Sequence, residues 1–163
     1  KQNYIHVVIS LDANLEQAYS VGRRHPAVPW FAGFTRERHE QILHKFPEAR
    51  YRIISIQCEA DQKDRIQTDL ERCYARRFKY HYSIIGLPFI LMNKPFYQRN
   101  YFTCSSFVAK LLETHGIRLF DKHFSLVTPK DFNDLPEFQV VYEGRLSDYS
   151  GLLYHGEGEF NEA

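Results

Sequence analysis

Two hydrophobic periods alternate along the 163 residues. Residues 4–12 set Ile5, Val7, Ile9 and Leu11 on one face and His6, Val8, Ser10 and Asp12 on the other, the period of two of a strand. Asp12-Ala13-Asn14 closes it as a turn, residues 17–21 read as the returning hairpin partner, and Gly22 ends that partner. Residues 23–33, with His25-Pro26, Val28-Pro29 and Trp30-Phe31, predict an aromatic loop long enough to carry function. A short polar helix is expected over 36–46. A second strand follows over 51–59, with Ile54, Ile56 and Cys58 on one face. Over 61–78 the period becomes helical, and Ile66, Leu70, Cys73 and Tyr74 form an apolar stripe on a charged rod. Residues 80–93 are apolar and aromatic, interrupted by Gly86-Leu87-Pro88, which predicts helical turns broken by proline.

A second strong helix is expected from Cys104 to about His115, with Thr103 as its N-cap and Gly116 as its stop. Thr128-Pro129-Lys130-Asp131 predicts a short capped helix with proline at its first position. Residues 139–143 form a β-rich run before a polar, glycine-containing tail. No repeat shows at periods of 20 to 50 residues. This order predicts an α+β class with a mainly antiparallel sheet packed against helices, in a single domain over 1–163.

Composition narrows the function classes. There are 21 Lys+Arg against 20 Asp+Glu, a formal charge of +1, which gives no reason to expect a bulk nucleic-acid or anionic-membrane partner. With 13 Phe and 11 Tyr the chain is too aromatic for a disordered segment. The longest apolar stretch, residues 84–92, is far short of a membrane span. Cys58, Cys73 and Cys104 are an odd number with no CxxC pair, so neither a disulfide framework nor a metal site is expected, and no cofactor is implied. Reduced cysteines and the lack of a visible signal peptide point to the cytoplasm; a trimmed N-terminus, given a start at Lys1, would leave export open.

Candidate chemistry centres on residues 100–108, Asn-Tyr-Phe-Thr-Cys-Ser-Ser-Phe-Val. A cysteine in the first turn of a helix meets free N–H groups and the positive dipole end, which favour a thiolate, and the same N–H groups suit an oxyanion. Cys104 also shares a stripe with Phe107, Val108, Leu111 and Leu112, a position where cysteine is more often core filler. Cys58 and Cys73 read as core residues. A nucleophilic thiol needs a base held by an orienting group, and His6, inside a strand on the face away from the apolar row, is the histidine best placed to be that base. Trp30, Phe31 and Phe34 are candidates for a substrate wall, and Arg23 and Arg24 for carboxylate binding, though paired arginines are more often solvated.

The blocks 4–12, Tyr19-Ser20-Val21-Gly22-Arg23, Phe31-Ala32-Gly33-Phe34 and residues 101–108 resemble circularly permuted NlpC-type, papain-like cysteine hydrolases, related to the lecithin retinol acyltransferase group. In that group a strand histidine precedes a helix-borne cysteine. The resemblance spans about residues 4–131 and implies a papain-like fold. It also implies a thiol hydrolase of amide bonds, often in cell-wall peptidoglycan, with Cys104 as nucleophile and His6 as base. The family's third, polar residue comes from the strand after the histidine and is commonly His or Glu. Here that strand offers Tyr19 and Ser20, of which Tyr19 matches better. The family usually carries a strand and helix ahead of the histidine strand, and the expectation is a chain without that element.

The leading expectation is therefore a cysteine peptidase or amidase acting on peptide or isopeptide bonds through a thioester. Its small substrate would be a peptide or an acyl compound. The alternatives are an acyltransferase or lipid hydrolase on the same fold, motivated by the apolar run 84–92, and a catalytically weak binding domain, motivated by the missing His or Glu.

Overall fold

The computed structural model describes residues 4–23, 32–149 and 151. Its class is α+β. β1 (Ile9–Ser10), β2 (Ala18–Arg23) and β3 (Ala32–Glu37) form an antiparallel sheet in that order. β1 meets β2 at Ile9 opposite Tyr19, and β2 meets β3 at Val21 opposite Phe34 and Ser20 opposite Thr35. The expected strand over 4–12 is thus paired only at Ile9–Ser10, and residues 4–8 lie outside any ladder.

β3 is the main departure from expectation. Residues 33 and 34 belong to a strand rather than to the loop, and Arg36 and Glu37 end that strand rather than begin a helix. The following helix, α1, is only His39–Lys45. Phe34 is fully buried, stacked on Tyr19 and edge-on to Phe107 at 5.1 Å, so it is core and no part of a substrate wall. Trp30, Phe31 and Arg24 lie outside the described residues.

β4 (Arg50–Ile54) pairs antiparallel with β7 (Val140–Arg145) as a separate ribbon, irregular at Ile53/Ile54. Between these strands come α2 (Ala60–Ala75), β5 (His81–Tyr82), α3 (Gly86–Leu91), β6 (Tyr101–Phe102), α4 (Cys104–Thr114) and α5 (Pro129–Asn133). α2 begins where the Gln62 side chain accepts from the Glu59 N–H at 2.9 Å, and it buries Ile66 and Leu70. Gln62 also donates to the His115 carbonyl at 2.8 Å, tying α2 to the end of α4. There Gly116 adopts φ +82°, a stop that a side chain would strain. The two-residue β5–β6 ladder is parallel and was not expected from the pattern.

The main core joins Val21, Phe34, Leu70, Phe107 and Val127 between the three-stranded sheet, α2 and α4. A smaller cluster of Leu15, Leu146 and Tyr149 sits under α1 and β4. All three cysteines are free; Cys73 is half-buried beside the Tyr80 hydroxyl at 3.1 Å. Cys58 is exposed rather than in the core, because β4 stops at Ile54 before the alternation reaches it. Among the described residues no helix is long and apolar enough to cross a membrane.

Candidate active site

The N-terminus of α4 is held by a reciprocal cap. Thr103 is its N-cap, its hydroxyl accepting from the Ser106 N–H at 3.2 Å while Ser106 Oγ accepts from the Thr103 N–H at 2.9 Å. Ser105 Oγ donates to the Val127 carbonyl at 2.7 Å and pins the first turn to the chain beyond the helix. A reciprocal cap of this kind satisfies donors that a helix otherwise leaves open. Every residue from Cys104 to Ala109 is buried, which makes the turn a rigid platform.

Cys104 occupies the first position of that helix and is 5% exposed. The His6 side chain and the backbone N–H groups of Val7 and Ser105 lie near enough to act on the charge of its thiol. Burial pushes the thiol pKa up. The His6 ring and the two N–H groups outweigh burial, so the thiol lies below its ordinary value and the thiolate is favoured. The Phe107 N–H is bonded to the Thr103 carbonyl and the Ser106 N–H to its hydroxyl. Among the described residues this leaves the Cys104 N–H as the first-turn donor free to meet an oxyanion.

His6 lies three residues before the start of β1. Continuing the Ile9–Tyr19 register sets it opposite Gly22, and the ring does lie there. A Cβ on Gly22 would sit 3.3 Å from His6 Cε1, so the missing side chain makes the seat of the imidazole. The ring's Nε2 is 2.7 Å from Glu37 Oε1, which leaves Nδ1 for the sulfur. Ser20 Oγ donates a short hydrogen bond to the same Glu37 oxygen.

Burial alone would lower the His6 pKa; Cys104 and Glu37 together raise it to about 10. Burial alone would raise that of Glu37; His6 and Ser20 bring it below the usual carboxylate value. The shifts favour a thiolate, an imidazolium and a carboxylate as neighbours. The His6 side chain is 42% exposed while Cys104 is buried, so the pair opens to solvent on its imidazole side.

The third position therefore differs from the sequence expectation. Tyr19 alternates with Val21 on the core face of β2, and its ring stacks on Phe34. Ser20, one residue on, faces the site, but as a partner of the carboxylate. The group on the imidazole is Glu37, from β3, a residue that sequence reasoning had placed in a helix. A period-two reading of 32–37, with Phe34 inward and Thr35 and Glu37 on the opposite face, was the signal that could have found it.

A cavity of about 740 Å³ begins beside His6 and Glu37. It is lined by consecutive residues 6–13 on one side and 51–56 on the other. A cavity over a sheet face would meet every second residue; one that meets every residue runs along a strand's edge. Among the described residues β1 pairs only with β2 and β4 only with β7, so each presents an unpaired edge to it. Cys104 is not in the lining; His6 and Val7, which act on the charge of its thiol, are. Among the described residues no cluster of three or more His, Cys, Asp or Glu side chains could hold a metal ion.

No family model, curated protein or solved structure matches this chain.

Proposed function

We propose that this chain is a cysteine hydrolase of peptide or isopeptide amide bonds, with a papain-like arrangement of its site. The observation that carries the reading is the Cys104–His6–Glu37 relay at a capped helix start. Cys104 Sγ attacks the substrate carbonyl carbon, and the carbonyl oxygen takes the negative charge toward the Cys104 N–H. The C–N bond then breaks as His6 gives its proton to the leaving amine, and a thioester remains on Cys104. Neutral His6 next takes a proton from water, and the hydroxide so formed opens the thioester. The acid product leaves, and the proton stays on His6 opposite the thiolate. Glu37 holds the imidazole in one orientation and stabilises its charged form, and Ser20 fixes the carboxylate.

The cavity lining is largely apolar, with Ile9, Leu11, Ile54 and Ile66 among its residues, and it is the strand edges that speak for a peptide over an acyl chain. Its walls carry the backbone edges of two strands, whose N–H and C=O groups an extended peptide can pair and an alkyl chain cannot. Glu37 also supplies the orienting carboxylate whose apparent lack motivated the binding-domain alternative. Incubation with a mixed peptide library and with lipid esters, followed by intact-mass analysis, tests the proposal. A trapped acyl adduct on Cys104 from peptides supports it, and turnover of lipid esters alone, or no adduct from any substrate, contradicts it.

A further inference from the structure

The near-neutral charge of the whole chain conceals a local asymmetry. From Arg72 to Leu112, forty-one residues hold seven Lys+Arg and no Asp or Glu, while the rest of the chain has fourteen against twenty. The centre of this block, residues 84–92, has no polar side chain: Ile-Ile-Gly-Leu-Pro-Phe-Ile-Leu-Met. α3 lies within it. Its inward side is anchored by Phe89, stacked on Phe96 at 4.4 Å. Its outward side is apolar too, with Leu91 88%, Ile85 61% and Met92 58% exposed, and Ile84 and Leu87 also open.

A helix on a water-facing surface is normally polar on its outer side. Here the outer side is a contiguous run of large aliphatic groups. Arg76, Lys79, Lys94 and Arg99 flank it in sequence, are exposed, and enter no ion pair among the described residues. The loop packed on this segment through Phe124 and Tyr97 adds Lys122, already paired with Asp131 at 2.8 Å, and so contributes little to this charge.

We propose that the exposed Ile84, Ile85, Leu87, Leu91 and Met92, flanked along the chain by Arg76, Lys79, Lys94 and Arg99, form a docking surface for an anionic lipid bilayer. The aliphatic groups enter the acyl boundary while the lysines and arginines stay at headgroup level. A second copy of the chain is a poorer occupant, since a two-fold interface would bring the flanking cations against their counterparts. This inference does not depend on the hydrolase reading; Cys104→Ala is expected to bind vesicles as the wild type does.

Co-sedimentation with vesicles of phosphatidylcholine alone, and of phosphatidylcholine mixed with phosphatidylglycerol, tests it. Wild type is compared with Ile85→Ser/Leu91→Ser and Lys94→Glu/Arg99→Glu, all exposed positions, with circular dichroism to confirm folding. The expected result is binding to the anionic vesicles that weakens with salt. The aliphatic variant should lose it, and the charge-reversed variant should weaken it roughly 25-fold or more, at about fivefold per cation. Wild type left in the supernatant, or variants that bind unchanged, would overturn the proposal. So would a wild-type dimer without vesicle binding that the aliphatic variant turns into monomer, because a second copy would then own the surface.

Discussion

His6 Nε2 and Glu37 Oε1 lie 2.7 Å apart, joining a segment outside the sheet to the last residue of its third strand. This contact fixes which ring nitrogen is left for Cys104, and it stabilises the charged imidazole. Glu37→Gln keeps the size and a hydrogen-bonding group but removes the charge. Turnover of a cleaved peptide is expected to fall by roughly 10²-fold or more, with a smaller change in KM. An unchanged kcat would show that the carboxylate plays no part in the reaction.

Gly22 leaves the space in which the His6 ring sits. A methyl group there would press on Cε1 at 3.3 Å, close enough to shift the ring without forcing the sheet apart. Gly22→Ala is therefore expected to lower activity severalfold while thermal stability changes by less than about 1 kcal/mol. Gly22→Val should remove activity in a protein that still folds. Equal activity in all three forms, measured beside melting curves, would refute the seat.

Thr103 holds the turn that presents Cys104. Thr103→Ala removes the hydroxyl that accepts from Ser106 and is expected to cost about 1 kcal/mol in denaturant unfolding. Because the same turn supports the thiolate, alkylation of Cys104 should also slow. Loss of stability with unaltered thiol reactivity would separate the cap from the chemistry.

Much of this site was legible because its parts are local. The Thr-Cys-Ser-Ser start of α4, its stop at Gly116 and the Thr128-Pro129 cap are short-range signals that the chain spells out. His6 was found because it faces away from Ile5, Val7 and Ile9. Glu37 was missed because the charged run that ends β3 reads as the polar first turn of the helix after it. Only the pairing of Val21 with Phe34 reveals Ala32–Glu37 as a strand. Tyr19 lies on the core face of β2, and its neighbour Ser20 faces the site only as a partner of Glu37, since in a strand one position turns a side chain to the opposite face. The β5–β6 ladder is two residues long, too short to leave a periodic trace.

The ion pair also predicts how stability depends on pH. The folded pKa of His6 is raised to about 10, so its contribution is complete below the unfolded value, about pH 6.5, and is lost as pH rises through 10. That of Cys104 is lowered, so its contribution is complete above about pH 8.5 and is lost as pH falls through the folded value. The two slopes oppose each other below about pH 8.5, and above it only the His6 loss remains. The stability difference between wild type and His6→Ala/Cys104→Ala, from urea unfolding, is expected to fall as pH rises from about 8.5 through 10. A difference that does not vary with pH would contradict the pair.

The central claim is that Cys104 is a thiolate held by His6, and alkylation read cysteine by cysteine tests it most directly. Iodoacetamide labelling across pH, resolved by peptide mass spectrometry, contains its own control in Cys58, an exposed thiol. The account predicts that Cys104, though only 5% exposed, reacts faster than Cys58 at about pH 6. It also predicts that His6→Ala abolishes this advantage and moves the reactivity of Cys104 to the alkaline range of an ordinary thiol. A Cys104 that stays slower than Cys58 throughout, or whose profile is the same in His6→Ala, would contradict it.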